Sequence, residues 1–178
     1  MNDQQDGRLD DEEPEVCEIP IVGDLSENAT EVTEKLLSIP SGGDCTLFFD
    51  CPGGSVYSAM SLMTLICYRE LHATAVVSGE CSSAALWPFA ACQRRIVTPF
   101  SCFLFHPMKW QSEENVQLPE AAEWARHFGR LEDGMNELLA EFLSVQSEAL
   151  QRWMYPGRYV SGRELVDAGV AEMFVLKP

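Results

Sequence analysis

Apolar residues recur along the chain in short runs of strand length and in longer segments at helical spacing, with glycine and proline turns between them. A short strand is predicted from Glu18 to Val22, ending at Gly23. Ser26 or Asn28 is the candidate cap of a helix that puts Ala29, Val32, Leu36 and Leu37 on one face and closes at Pro40 and the Ser41-Gly42-Gly43-Asp44 turn. The run from Cys45 to Phe49 is of strand length, the mark of a strand covered on both faces. Asp50-Cys51-Pro52-Gly53-Gly54-Ser55 follows it directly, and then a helix with Val56, Met60, Met63 and Cys67 at helical spacing. The same arrangement repeats as a strand over 73–78, a turn opening at Gly79 and a helix over 83–92.

Two further short strands, Arg94 to Val97 and Ser101 to Phe105, flank a Thr98-Pro99 turn, and the second delivers His106-Pro107 at its end. The longest helix is predicted over 119–143, started by Pro119 and Glu120, with Ala121, Trp124, Phe128, Leu131, Met135, Leu138 and Phe142 in one stripe. That stripe is expected to pack on the sheet or on a neighbouring subunit, with Gly129 and Gly134 weakening the helix locally. Ser147 to Met154 reads as a short helix and Tyr155-Pro156-Gly157 as a turn. Ser161-Gly162-Arg163-Glu164 is a capping box for a helix ending near Gly169, and Val170 to Leu176 returns as strand. The order strand, helix, strand predicts an α/β fold with a mostly parallel sheet, and right-handed crossovers bring both glycine turns to one edge of it, facing one cleft.

Composition narrows the function classes. The formal net charge is −16, and the first 18 residues carry eight acidic residues against Arg8 alone. Residues 1–17 therefore read as an acidic, solvating tail ahead of one domain over 18–178. The remainder is still acidic, which argues against a nucleic-acid partner. No stretch approaches the ~18 uninterrupted apolar residues of a membrane span and the start is unlike a signal peptide, so a soluble, cytoplasmic protein with no membrane partner is expected. The seven cysteines form no C-x-x-C pair, and several sit inside apolar runs. They read as reduced, buried small hydrophobes, and neither a metal nor a cofactor is expected.

The candidate chemistry lies in the two glycine turns. Adjacent glycines at the carboxyl end of a strand leave backbone N–H groups free to hold a carbonyl oxygen that acquires charge. Ser82 and Ser83, after Gly79-Glu80-Cys81, are both candidate nucleophiles, and both also suit an ordinary helix start. His106, at the end of a third apolar run, is the candidate base for the same cleft.

With these residues in this order the sequence resembles the proteolytic subunit of the ATP-dependent Clp protease, over roughly residues 18 to 175. The family's S-P-G-G-S-V stands as Cys51-Pro52-Gly53-Gly54-Ser55-Val56, and its G-Q-A-A-S turn falls without a gap on Gly79-Glu80-Cys81-Ser82-Ser83, which singles out Ser83. Its histidine matches Leu104-Phe105-His106-Pro107. Its M-N-E-L matches Met135-Asn136-Glu137-Leu138, and its last segment matches Arg158-Tyr159-Val160-Ser161, Glu164 and Gly169-Val170.

The resemblance implies an α/β fold of the ClpP/crotonase type, built from repeated strand-strand-helix units with a long protruding helix that joins two rings. It further implies seven-membered rings stacked face to face and peptide hydrolysis of unfolded polypeptides inside a closed chamber, with an AAA+ unfoldase as possible partner. Ser83 is then the nucleophile, His106 the base, and the backbone N–H groups of Gly54 and Ala84 the oxyanion hole. The position of the family's triad aspartate is Gly157, and Glu132 and Asp133 are candidate substitutes. Two alternatives stand beside a serine endopeptidase: a catalytically impaired structural or regulatory subunit, in a ring of itself or mixed with a homologous subunit, and a crotonase-type enzyme acting on acyl-CoA thioesters.

Overall fold

The computed structural model describes residues 16–111 and 115–177; the acidic segment over 1–15 lies outside the described residues. Among the described residues, seven strands and six helices form a mixed α/β fold. The order is β1 (Cys17–Val22), α1 (Leu25–Ser38), β2 (Asp44–Cys51), α2 (Val56–Tyr68) and β3 (His72–Cys81). A single 3-10 turn (Ser83–Ala85) then leads into α3 (Leu86–Ala91), β4 (Arg94–Val97) and β5 (Cys102–Phe105). The chain ends with α4 (Leu118–Leu143), α5 (Ser147–Met154), β6 (Arg158–Ser161), α6 (Gly162–Asp167) and β7 (Glu172–Met173). β1 begins at Cys17, one residue inside the segment read as tail.

The main sheet runs β1-β2-β3-β4-β7 with every neighbour parallel, as the alternation of strand and helix patterns predicts. β3 is long enough to serve two sheets. Its start pairs with β2 and β4, and at its far end Glu80 pairs with Cys102 of β5, which runs antiparallel to β6. Alternate residues of the central strands, Leu47, Phe49, Ala75 and Val77, are wholly buried with Val32, Leu36, Leu62 and Ile66 of α1 and α2. The opposite face carries Thr46, Phe48, Thr74 and Val76, which are half-buried. The Cys45 to Phe49 run is therefore sealed on one face and only partly covered on the other, a correction to the two-sided burial its apolar character implied.

Other expectations change in detail. The cap of α1 is Asp24, whose Oδ1 accepts from Ser26 N at 2.6 Å, while Asn28 Nδ2 donates to the Val22 carbonyl. The last strand is only Glu172–Met173, and Phe174 N still donates to the Val97 carbonyl at 2.7 Å. β6 has no counterpart in the sequence reading. The Ser161–Glu164 capping box forms as predicted, with both reciprocal hydrogen bonds made.

α4 runs unbroken through Gly129 and Gly134. Its stripe does not lie on the sheet. Met135, Leu139, Ala140 and Leu143 are buried beside α3 and α5, and Trp87 Nε1 of α3 donates to the Met135 carbonyl at 2.9 Å. Toward its start none of its residues is buried. There Trp124 and Phe128 meet Trp110, with ring centroids 5.8 and 5.9 Å away. No described helix is long and apolar enough to cross a membrane.

Trp87 is buried, and its indole N–H ties α3 to α4. Trp87→Phe keeps a ring but deletes that donor, so urea unfolding should show a loss of about 1–3 kcal/mol; a change within ~0.5 kcal/mol would mean the tie contributes nothing.

Candidate active site

The site is built where the turns after β2 and β3 meet. Gly53 and Gly54 have φ of +111° and +134°, backbone conformations that a side chain would strain. Space is closed as well: a methyl on Gly53 would stand 2.7 Å from Ser83 Cβ and 2.9 Å from the Ser82 carbonyl oxygen. On Gly54 it would collide with the Asp24 carboxylate that caps α1. The Pro-Gly-Gly turn is thus wedged between the start of α1 and the Ser82-Ser83 turn, with Leu25 N donating to the Gly53 carbonyl at 2.8 Å and Ser55 N to Ser26 Oγ at 2.9 Å. Among the described residues neither Gly54 N nor Ala84 N donates to a protein acceptor.

Ser82 and Ser83, equivalent as residue types, have different surroundings. Ser82 is 1% exposed, and its Oγ accepts from Leu104 N of β5 at 2.9 Å, pinning the strand that leads to His106. Ser83 has φ +54°, in the left-handed region that a non-glycine residue enters only when its surroundings hold it there. Its hydroxyl makes no protein hydrogen bond among the described residues and lines a cavity of about 180 Å³. Cys81, two residues before it, is fully buried with Sγ 3.5 Å from the Ala85 carbonyl; burial pushes its thiol well up, which leaves it protonated and a poor nucleophile.

The same cavity is lined by Gly54, Ser83, Ala84 and His106, so the four residues singled out in the sequence meet in one place. Its walls are Val56, Leu86, Trp87, Met108 and Met154, with Lys109 as a cation beside them. Met154 lies far from the glycine turns in sequence, and no motif marks it or Trp87 as a wall. Among the described residues no three His, Cys, Asp or Glu side chains are grouped as a metal site needs.

His106 is half-buried at the end of β5. Its Nδ1 lies 2.6 Å from the carbonyl oxygen of Pro107, the next residue in the chain. Gly157 does stand beside it: β5 pairs with β6 at Phe105 and Arg158, and Gly157 precedes that pair. Its φ is +112°, and a methyl there would lie 3.0 Å from His106 Cβ. Of the two substitute acids, Glu132 accepts through Oε1 from Met108 N at 2.9 Å and from Tyr155 Oη at 3.3 Å. Burial and then the Glu132 carboxylate push the Tyr155 phenol above its ordinary value, which keeps it a donor. Asp133 faces a separate cleft of about 220 Å³ with Asn136 and Glu137. Neither acid bonds the His106 ring directly among the described residues. The Pro107 carbonyl was invisible to sequence reasoning, because a backbone acceptor carries no residue-type signal.

The model of one protein family, described as Clp protease, matches residues 17–177.

Two substitutions separate the serines and probe the glycine. Ser82→Ala should cost about 1–3 kcal/mol by orphaning Leu104 N, whereas Ser83→Ala should leave stability within about 0.5 kcal/mol; equal effects in thermal unfolding would contradict the distinction. Gly157→Ala should lose about 1–3 kcal/mol through its strained φ alone, with unfolding midpoints as the measure.

Proposed function

The chain belongs to the Clp protease family, and we propose from that membership that it is a serine-type endopeptidase subunit in which Ser83 is the nucleophile and His106 its general base. The observation that carries this reading is the convergence of Ser83, His106, Gly54 and Ala84 on one cavity, with Ser83 held at φ +54°. A carbonyl oxygen accepts but never donates, so Nδ1 of His106 carries the proton and Nε2 keeps a lone pair. That is the tautomer a general base needs.

The reaction then runs in two halves. Ser83 Oγ attacks the peptide carbonyl as Nε2 removes its proton, and the oxygen that becomes negative is held by the Gly54 and Ala84 N–H groups. The intermediate collapses as the imidazolium returns the proton to the leaving amine, giving an acyl-enzyme on Ser83 and a free amino terminus. Water, activated by the same histidine, hydrolyses the ester and restores Ser83. The apolar walls formed by Val56, Leu86, Trp87 and Met154 suit an apolar side chain next to the scissile bond. Unfolded polypeptides are the substrates in this reading. The subunit works in stacked seven-membered rings, of itself or mixed with a homologue, fed by an AAA+ unfoldase in the cytoplasm. The start of α4 supports assembly, since Leu118 is exposed there and Trp124, Phe128 and Leu131 are only half-buried.

A second reading is favoured by one observation: His106 has a neutral carbonyl, not a carboxylate, at Nδ1. In the serine-protease template, disabling the carboxylate costs roughly 10⁴ in turnover. On that ground the chain would be a ring subunit with structural work and little chemistry.

A fluorophosphonate probe decides between them. Covalent labelling located to Ser83 by peptide mapping, lost in Ser83→Ala and reduced by about 10²-fold or more in His106→Ala, is expected for the peptidase. Absence of labelling in the assembled protein would leave the structural subunit.

A further inference from the structure

The Pro107 carbonyl that holds His106 does not act alone. It is one end of the peptide unit between Pro107 and Met108, and the other end of that unit, the Met108 N–H, donates to Glu132 Oε1 at 2.9 Å. A peptide unit is planar and delocalised, so its N–H and C=O dipoles respond together. A carboxylate drawing on the N–H end shifts electron density toward the carbonyl oxygen and makes it a stronger acceptor for the histidine proton. Each hydrogen bond in such a chain strengthens its neighbour by about 10–30%.

We infer that Glu132 is the positioning residue of this site, acting through the Pro107–Met108 peptide to hold His106 in its Nδ1–H tautomer and to stabilise the imidazolium that forms when Ser83 is deprotonated. Its catalytic meaning rests on the Ser83–His106 reading above; its geometry does not.

Three features support the assignment. Glu132 is fixed from two sides, because Tyr155 Oη donates to the same Oε1 at 3.3 Å while Met108 N donates at 2.9 Å. The alternative acid is turned away: Asp133, one residue on and about 100° around the helix, faces the cleft with Asn136 and Glu137. The position from which the family resemblance would supply a carboxylate is closed, since Gly157 has φ +112° and a methyl there would crowd His106 Cβ. The carboxylate therefore reaches the histidine from α4, with one peptide unit between them. At that remove its electrostatic effect on the imidazolium is smaller than that of a carboxylate in direct contact, since charge interactions weaken with distance and with the polarity between.

Glu132→Gln keeps an acceptor for the Met108 N–H and removes the charge; Glu132→Ala removes both; Asp133→Asn is the control on the same helix. Two readouts are taken on the full chain: ¹⁵N NMR of the His106 ring nitrogens, which reports the tautomer without any turnover, and the rate of fluorophosphonate acylation of Ser83. Acylation should fall about tenfold in Glu132→Gln, a loss of ~1.4 kcal/mol of transition-state stabilisation, and further in Glu132→Ala. The Nδ1–H tautomer should persist in Glu132→Gln and give way to a mixture in Glu132→Ala, and Asp133→Asn should match the wild type in both. An unchanged tautomer and unchanged acylation in both Glu132 variants overturns the inference while leaving Ser83 and His106 in place. If the wild type is not acylated at all, the peptidase reading fails separately, and the tautomer still decides: retained in Glu132→Ala it refutes the positioning role, and redistributed it supports it.

Discussion

Where the turn after β2 meets the turn after β3, two stretches of backbone approach so closely that only a hydrogen fits between Gly53 and Ser83. Much of the site depends on that contact. β2 and β3 run parallel in register up to Phe49 and Val77, and an irregularity before Cys51 then re-phases them so that Cys51 stands opposite Cys81. Ser82 N donates to the Cys51 carbonyl at 3.0 Å and carries the strand pairing into the turns. Gly54 and Ala84 come to one cavity because both turns leave the same edge of one sheet at a fixed spacing. A parallel sheet supplies this for a physical reason: its strands all end on the same side, and a glycine pair at one end lets its neighbour come near.

His106 is brought to this edge by a different route. β5 is bound to the far end of β3 through Glu80 and Cys102, and Ser82 holds it at Leu104, two residues before His106. Ser82, the residue beside Ser83, thus fixes the height at which the histidine emerges. Behind the strand Phe89 packs on Phe103, and Phe105 packs on Trp153 of α5, with centroids 5.3 and 5.1 Å apart. The aromatic contacts are dry and rigid, so the orientation of the imidazole is left to its own polar partners.

Legibility of this architecture in the sequence follows the range of the forces involved. Elements specified by local periodicity stood out: β2, β4, α5 and the long α4 carry their own pattern, and the Pro-Gly-Gly turn carries its own backbone requirement. β6 did not, because it is four residues long with Arg158 and Tyr159 exposed, and it exists through pairing with β5, distant in sequence. Periodicity announced the apolar stripe of α4 but not what it meets, which is α3 and α5 rather than the sheet. At the cap of α1, Asp24, Ser26 and Asn28 are all competent residue types, and tertiary contact with Gly54 selects Asp24. Within the site, Gly54, Ser83, Ala84 and His106 could be named from motif and order. The contacts around His106 could not, since Pro107 acts through its backbone, and which of the adjacent carboxylates Glu132 and Asp133 reaches Met108 depends on how the helix turns them.

α4 joins two regions with opposite characters. Its second half is anchored by the buried Met135, Leu139 and Leu143, its first half is at most half-buried, and Glu132 lies at the junction between them. The first half is nonetheless tied, since Tyr57 Oη and His127 Nε2 lie 2.9 Å apart and Trp124 and Phe128 meet Trp110, so α4 is held on both sides of Glu132. Thermodynamic linkage then makes the coupling reciprocal: anything that binds the first half of α4 more tightly in one tilt of the helix than in another biases the Glu132–Met108 contact, and anything that fixes His106 changes the affinity for that binder by the same factor. The two ends of α4 and the polar contacts of His106 are thus connected through one helix and one hydrogen bond.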